Sequence, residues 1–117
     1  MTLQEIFDHS VDGLRAQNYQ PSNDPIKGCL YRGPNGLKCA AGFCIPDEVY
    51  EPVMEQEVIE AVIGKSLALQ ELFPTEDHEN LLRRLQGIHD SYPPRDWEEE
   101  WKLLAARYDV IYTPVKG

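Results

Sequence analysis

Residues 28–45 read GCLYRGPNGLKCAAGFCI, and this stretch says most about the fold. Its tetrapeptide GPNG at 33–36 places proline second and glycine last in a four-residue turn. That order is typical of a type I turn closed by a bulge glycine, a common connection between two antiparallel strands. The stretch therefore predicts a β-hairpin near residues 29–40, in which Arg32 lies opposite Leu37.

Helices are predicted on both sides of this hairpin. Thr2 and Glu5 form a capping box ahead of an apolar stripe, which predicts a helix that fades near Gln17. Further along, apolar residues at helical spacing predict two short helices, the first of them ended by Gly64. An isolated two-stranded hairpin is marginally stable in water, so we expect it to pack against helices. The small residues at 40–42 would allow that close approach.

Two more helices form a predicted C-terminal pair over residues 75–108. Thr75 and Asp96 are the expected N-caps, and Pro93-Pro94 separates the two helices. The expected fold is therefore mainly α (α+β): a small helical domain with one β-hairpin, in a single globular unit spanning 1–117. The expected core consists of Leu3, Phe7, Leu14, Leu30, Cys39, Val62, Leu82, Leu85, Ile88, Trp101 and Leu104.

Composition limits the classes of function. The chain has 117 residues, of which 42% are hydrophobic and 26% charged, as expected for a folded globular protein. Twenty acidic and eleven basic residues give a net charge of −9, which argues against binding a nucleic-acid backbone or an anionic membrane surface. No apolar run approaches a membrane span, and residues 1–10 lack the pattern of a signal peptide. We therefore expect a small, acidic, soluble protein of the cytoplasm.

The cysteines are Cys29, Cys39 and Cys44, an odd number in a chain without an export signal. We expect three reduced thiols, packed as small hydrophobic residues and without a disulfide or a metal. A zinc site would also need His78 or His89. The spacing Cys-x9-Cys-x4-Cys contains no Cys-x2-Cys knuckle, the element that usually marks such a site. No cofactor is therefore expected.

A small cysteine-dependent enzyme that uses Cys39 and His89 is the alternative hypothesis. Lys38 precedes Cys39 and would lower the pKa of its thiol, while His89 would act as the base. Asp90 follows His89, but neighbouring residues on a helix point about 100° apart, so Asp90 is not expected to orient the ring. A histidine on an apolar helix face is more often a buried polar residue with a hydrogen-bond partner. The balance favours a protein that is not an enzyme.

Charge is segregated along the chain around the predicted hairpin. Basic residues and a tyrosine flank the turn, and an acidic segment follows at 47–60. Tyrosine and arginine are enriched at the centre of protein interfaces, so this arrangement favours a protein-binding surface. An ordinary turn with solvated charges is the other interpretation. The expected partner-binding residues are Tyr31, Arg32, Asn35, Lys38, Asp47, Glu48 and Glu51.

Three separated stretches resemble a family of small proteins of tailed phages and prophages. They are CLYRGPNGLKCA at 29–40, IPDE at 45–48 and LQGIHD at 85–90, followed by Trp97. The resemblance carries over no catalytic residue. It implies an accessory protein that binds and modulates a host protein, with host defence or nucleic-acid machinery as candidate targets. The oligomeric state and the identity of the partner stay open.

Overall fold

A computed structural model describes residues 1–115 of the chain. Within these residues the helices are α1 (Leu3–Ala16), α2 (Ile59–Gly64), α3 (Leu67–Leu72), α4 (Glu76–Ser91) and α5 (Trp97–Tyr108). Two short strands, β1 (Asn23–Asp24) and β2 (Gly28–Cys29), pair antiparallel. The prediction of a mainly α fold with one hairpin is confirmed. No helix in the described part of the chain is long and apolar enough to cross a bilayer.

The helix starts follow the capping signals with one exception. The Thr2 hydroxyl accepts a hydrogen bond from the Glu5 amide at 3.1 Å, and the Glu5 carboxylate accepts one from the Thr2 amide at 2.8 Å. Thr75 caps α4 in the same way through its hydroxyl. Asp96 stands at the N-cap of α5, but its side chain accepts no capping bond. A short 3₁₀ turn at Pro94–Asp96 leads straight into α5, which gives Asp96 helical backbone angles.

The position predicted for the hairpin, 29–40, is wrong. The GPNG segment forms a tight 3₁₀ turn at Pro34–Gly36, but in the described part of the chain no strand ladder extends from it. Glu55 explains why, because its carboxylate accepts the backbone N–H groups of Tyr31 at 2.8 Å and Arg32 at 3.0 Å. Those donors are therefore unavailable to an opposing strand, and the predicted register with Arg32 across the turn does not form.

The observed hairpin precedes this stretch and depends on a different turn. The Asp24 carboxylate accepts hydrogen bonds from the amides of Ile26 at 2.8 Å and Lys27 at 2.9 Å. Gly28 has a φ of 80°, a left-handed conformation that favours glycine. An aspartate that bonds the backbone two residues ahead is a common turn device, and it brings β2 back alongside β1. Cys29, at the end of β2, lies opposite Asn23.

The core lies where α1, α4 and α5 meet, and a short turn at Ala41–Cys44 is inserted between α1 and α4. Two backbone segments approach closely at Gly42, because a Cβ there would lie 2.2 Å from the Tyr31 carbonyl oxygen; the contact is with the 28–32 segment, whereas the prediction placed it against a helix. Trp97 and Trp101 are fully buried. Of the expected core residues, the structure leaves two half-buried, Leu3 and Leu30, and buries the others.

The segment after α5 is fastened to α1 by a shared carboxylate. Glu98 accepts two hydrogen bonds from the Arg15 guanidinium, at 2.7 and 2.8 Å, and one from each hydroxyl of Tyr19 and Tyr112, at 2.6 Å. Burial opposes ionisation of Glu98, but these hydrogen bonds outweigh it and lower the pKa from 4.5 to about 2. The ionised carboxylate therefore holds three segments of the chain together.

Candidate functional site

Tyr31 does not lie on the surface where a partner would meet it. Its side chain is 6% exposed, and its hydroxyl donates a hydrogen bond of 2.5 Å to the Glu57 carbonyl. Together with the Glu55 bond to its amide, this fixes the residue as an internal link between the 28–32 segment and the 55–57 segment. Tyr31 is therefore a structural residue in this fold and is not available as an interface anchor.

The segregated charges of the sequence pair with one another in space. Arg32 Nη2 lies 2.6 Å from Asp47 Oδ1, and its guanidinium stacks over the ring of Tyr50 at 4.4 Å. Lys38 Nζ lies 3.9 Å from the same Asp47 oxygen. Among the expected partner-binding residues, three remain well exposed without such pairing, namely Asn35, Glu48 and Glu51. Arg32 and Lys38 of the basic turn thus share the Asp47 carboxylate, which is the one acidic side chain of the 47–60 segment that pairs with them among the described residues.

Cys39 is fully buried and has no contact with solvent. A substrate therefore cannot reach its sulfur in this conformation, and Cys44 is buried in the same way. Cys29 is the cysteine that lies near His89, with Sγ 3.9 Å from Nδ1, and it lines a surface groove. Cys29, and not the predicted Cys39, is therefore the cysteine to consider as a nucleophile beside His89.

His89 is buried in a hydrogen-bond network. The Ser22 amide donates to Nε2 at 3.1 Å, and Nδ1 lies 2.8 Å from Asp90 Oδ1, so the expectation that Asp90 would not orient the ring is wrong. The Asp90 carboxylate accepts the proton on Nδ1. A proton on Nε2 would face the Ser22 N–H. While that bond is present, the ring is neutral and carries its proton on Nδ1.

This tautomer does not suit a metal. One ligand atom from each of Cys29, His89 and Asp90 lies within 4.8 Å of the others, as a metal site would require. A metal on Nδ1 would move the ring proton to Nε2, against the Ser22 amide. With its proton on Nδ1, His89 together with Cys29 and Asp90 therefore suits a closed hydrogen-bond network better than a metal site.

The same geometry does not suit a catalytic thiol. In a triad the nucleophile and the acid bind opposite nitrogens of the histidine, whereas Cys29 and Asp90 both face Nδ1 of His89. A hydrogen bond with Cys39 and burial raise the pKa of the Cys29 thiol well above its usual range, which leaves little thiolate at neutral pH.

Gln86 is the last member of the His89 network, and it links that network to the backbone of the preceding segment. Its amide nitrogen donates to Cys29 Sγ and to Asp90 Oδ1, both at 2.9 Å, and its oxygen accepts from the Ala41 amide at 3.0 Å. The stretches LQGIHD and CLYRGPNGLKCA, which carry the resemblance, therefore meet in space. Through them, α4 holds the irregular segment that precedes it in the chain.

A second feature, which we name the basic groove, lies between α4 and α5. It encloses about 580 Å³ and is lined by three arginines, Arg83, Arg84 and Arg107, together with Tyr92 and Leu103. Leu103 is 58% exposed and Tyr92 is 42% exposed. Three of the eleven basic residues of a chain with net charge −9 thus line one apolar-sided groove.

The arginines of the basic groove are not neutralised by the fold. Within residues 1–115, no carboxylate oxygen lies within 4.0 Å of a side-chain nitrogen of Arg83, Arg84 or Arg107. Arg84 Nε is buried and, within that part of the chain, has no hydrogen-bond partner. Glu100 also lines the groove. The geometry therefore suits an anionic side chain presented on an apolar surface.

Sequence reasoning missed the basic groove, although a signal was present. Arg84 has Ile88 four residues ahead, and Arg107 has Leu103 four residues behind, so both arginines border apolar side chains on their own helices. Neither has an acidic residue at a helical spacing of three or four. What the sequence did not show is that the two stripes face the same groove.

Comparison of the chain with protein-family models, with curated proteins and with solved structures gives no match.

Proposed function

We propose that this chain is a non-enzymatic accessory protein of phage type that acts by binding a host protein through the basic groove. The single observation that carries the proposal is the set of three arginines that have no carboxylate partner within residues 1–115 and lie beside exposed Tyr92 and Leu103. Arginine and tyrosine are the side chains most enriched at the energetic centres of interfaces. The phage context comes from the sequence resemblance, and host defence or nucleic-acid machinery remains the candidate class of target.

Within residues 1–115, the arginines of the basic groove have no carboxylate to release before a partner binds. A guanidinium without a carboxylate partner can form a bidentate charge-assisted pair, and Arg84 is already half-buried, whereas Arg83 and Arg107 are exposed. An arginine that the fold had already paired, such as Arg32 with Asp47, would have to break that pair first. This difference favours the basic groove over the predicted turn as the binding surface. The exposed residues Asn35, Glu48 and Glu51 stay predicted as secondary contacts.

The test compares charge reversals inside and outside the groove. Immobilised wild-type protein, the double variant Arg84→Glu/Arg107→Glu and the control Lys102→Glu are each exposed to lysate of candidate bacterial hosts, and retained proteins are quantified by mass spectrometry. Lys102 is an exposed basic residue of α5 that does not line the groove. Circular dichroism checks that all three proteins are folded.

We expect at least one host protein that the wild type and the Lys102→Glu control retain equally and that the groove variant retains at least tenfold less. The reason is that reversal places two carboxylates where the partner presents its own. Identical retention by all three proteins would contradict a binding role for the groove. Loss with the Lys102→Glu control as well would show that only overall charge matters.

A further inference from the structure

A second groove, which we name the acidic groove, lies on the other side of α4. It encloses about 380 Å³, and its lining includes Glu57, Glu60, Asp90 and the sulfur-bearing Cys29. Glu57 is already paired with Lys65, whereas the Glu60 side chain is exposed and Asp90 is 42% exposed. The two grooves that border α4 therefore have opposite charge.

Arg83 and Gly87 line both grooves, so they form the crest of α4 that separates them. Gly87 has no side chain, and a Cβ built there would meet no heavy atom within 4 Å. The crest is therefore notched at Gly87, and both grooves extend to this residue. Nothing packs against this position in the described part of the chain, so close packing does not explain a glycine at the twelfth residue of a sixteen-residue helix.

Glycine in a helix interior costs about 1 kcal/mol relative to alanine. A common use of such a residue is to let another backbone approach closely. The open notch leaves room for an extended chain to cross α4. The opposite charges of the two grooves would determine which end of that chain lies on which side.

We propose that the partner of the basic groove contributes an extended segment that crosses α4 over Gly87, with acidic side chains over Arg84 and Arg107 and a basic side chain over Glu60 and Asp90. The proposal rests on the proposed function, and it adds the chemistry of the bound segment. A helix with its side chains is about 10 to 12 Å across, and an extended chain advances about 3.3 Å per residue. The acidic and basic positions are therefore separated by about two to four residues.

Synthetic peptides test this spacing directly. Each carries two glutamates and two lysines separated by zero to eight threonines and a fluorescent label, and its affinity for the full-length protein is measured by fluorescence anisotropy at low salt. We expect the tightest binding at two to four threonines and at least a fivefold loss at zero and at eight. Affinities that do not depend on spacing, or no binding of any peptide at millimolar protein, would overturn the proposal.

Variants of the protein locate the bound peptide. Gly87→Trp fills the notch and should weaken the best peptide at least tenfold, whereas Glu60→Lys should weaken it and restore binding of a peptide whose lysines are changed to glutamate. Glu60→Lys keeps the test valid if Gly87→Trp does not fold. Peptide binding that survives both substitutions contradicts the crossing.

The lysate comparison separates this proposal from the proposed function. If the host protein is lost with Arg84→Glu/Arg107→Glu but kept with both Gly87→Trp and Glu60→Lys, the partner uses the basic groove alone and the crossing is wrong. If the host protein is kept with all of these variants, both proposals fail.

Discussion

Replacement of Gly87 by alanine tests whether this residue serves folding or binding. Among residues 1–115 the added Cβ meets no heavy atom within 4 Å, so Gly87→Ala introduces no clash there. The position lies well inside α4, where alanine is favoured over glycine by about 0.8 to 1.0 kcal/mol. Measured gains at compatible sites are about 0.4 to 1 kcal/mol, because alanine restricts the unfolded chain. We therefore expect the free energy of unfolding to rise by about 0.5 to 1 kcal/mol.

Urea unfolding followed by circular dichroism measures this change, and thermal unfolding should show a rise in Tm of about 2 to 5 °C for a domain of this size. Gly36→Ala is the matched control, since a Cβ there also meets nothing within 4 Å but the residue has a φ of 75°. We expect that control to lose about 1 kcal/mol, because alanine is strained in the left-handed region. A lower stability for Gly87→Ala would mean that the fold itself needs this glycine, and it would contradict the proposal that the notch serves to admit a partner segment.

Four further predictions concern the core, the carboxylate that fastens the C-terminal segment, the close backbone approach and the thiols. Trp101→Ala should cost about 3 to 5 kcal/mol in urea unfolding because the side chain is fully buried, and a loss below about 1 kcal/mol would contradict that packing. The lowered pKa of Glu98 stabilises the fold above about pH 4.5, and this stability is lost as the pH falls towards 2. Glu98→Gln should therefore cost about 1 to 2 kcal/mol at pH 7, after allowance for solvent screening, and less than half of that at pH 3; equal losses at both pH values would refute this. Gly42→Ala should destabilise by about 1 to 3 kcal/mol because its Cβ would overlap the Tyr31 carbonyl, and an unchanged urea midpoint would show that the backbone yields easily. Iodoacetamide at pH 7.5 should label Cys29 more slowly than free cysteine, since the pKa of its thiol is raised. Rapid labelling would instead support the hypothesis of a cysteine-dependent enzyme.

The helices were largely predictable because their signals are local. The capping box at Thr2, the cap at Thr75 and the apolar spacing of Trp97 and Trp101 act within one or two turns of the same helix. Such signals need no knowledge of distant segments. The mainly α class follows from them.

The hairpin was misplaced because its competitor is distant in the chain. The GPNG turn is a sound local signal, but the Glu55 carboxylate, more than twenty residues away, binds two consecutive amides, one of which would have faced the opposing strand in the predicted hairpin. A charge-assisted hydrogen bond to a carboxylate is stronger than a neutral one between strands. Local turn chemistry does not show such a competitor.

Some features of the candidate site were likewise predictable from the sequence, and others were not. Net charge, the odd number of cysteines and the proximity of His89 to Asp90 in the chain could all be read directly. The pairing of Arg32 with Asp47, the burial of Cys39 and the tautomer that Ser22 imposes on His89 depend on segments that meet only in the folded chain. The sequence therefore sufficed for the helical class and the acidic character. Tertiary packing was needed to show which charges neutralise each other and that the arginines of α4 and α5 remain open, because a charge is available for binding only when the fold brings no opposite charge to it.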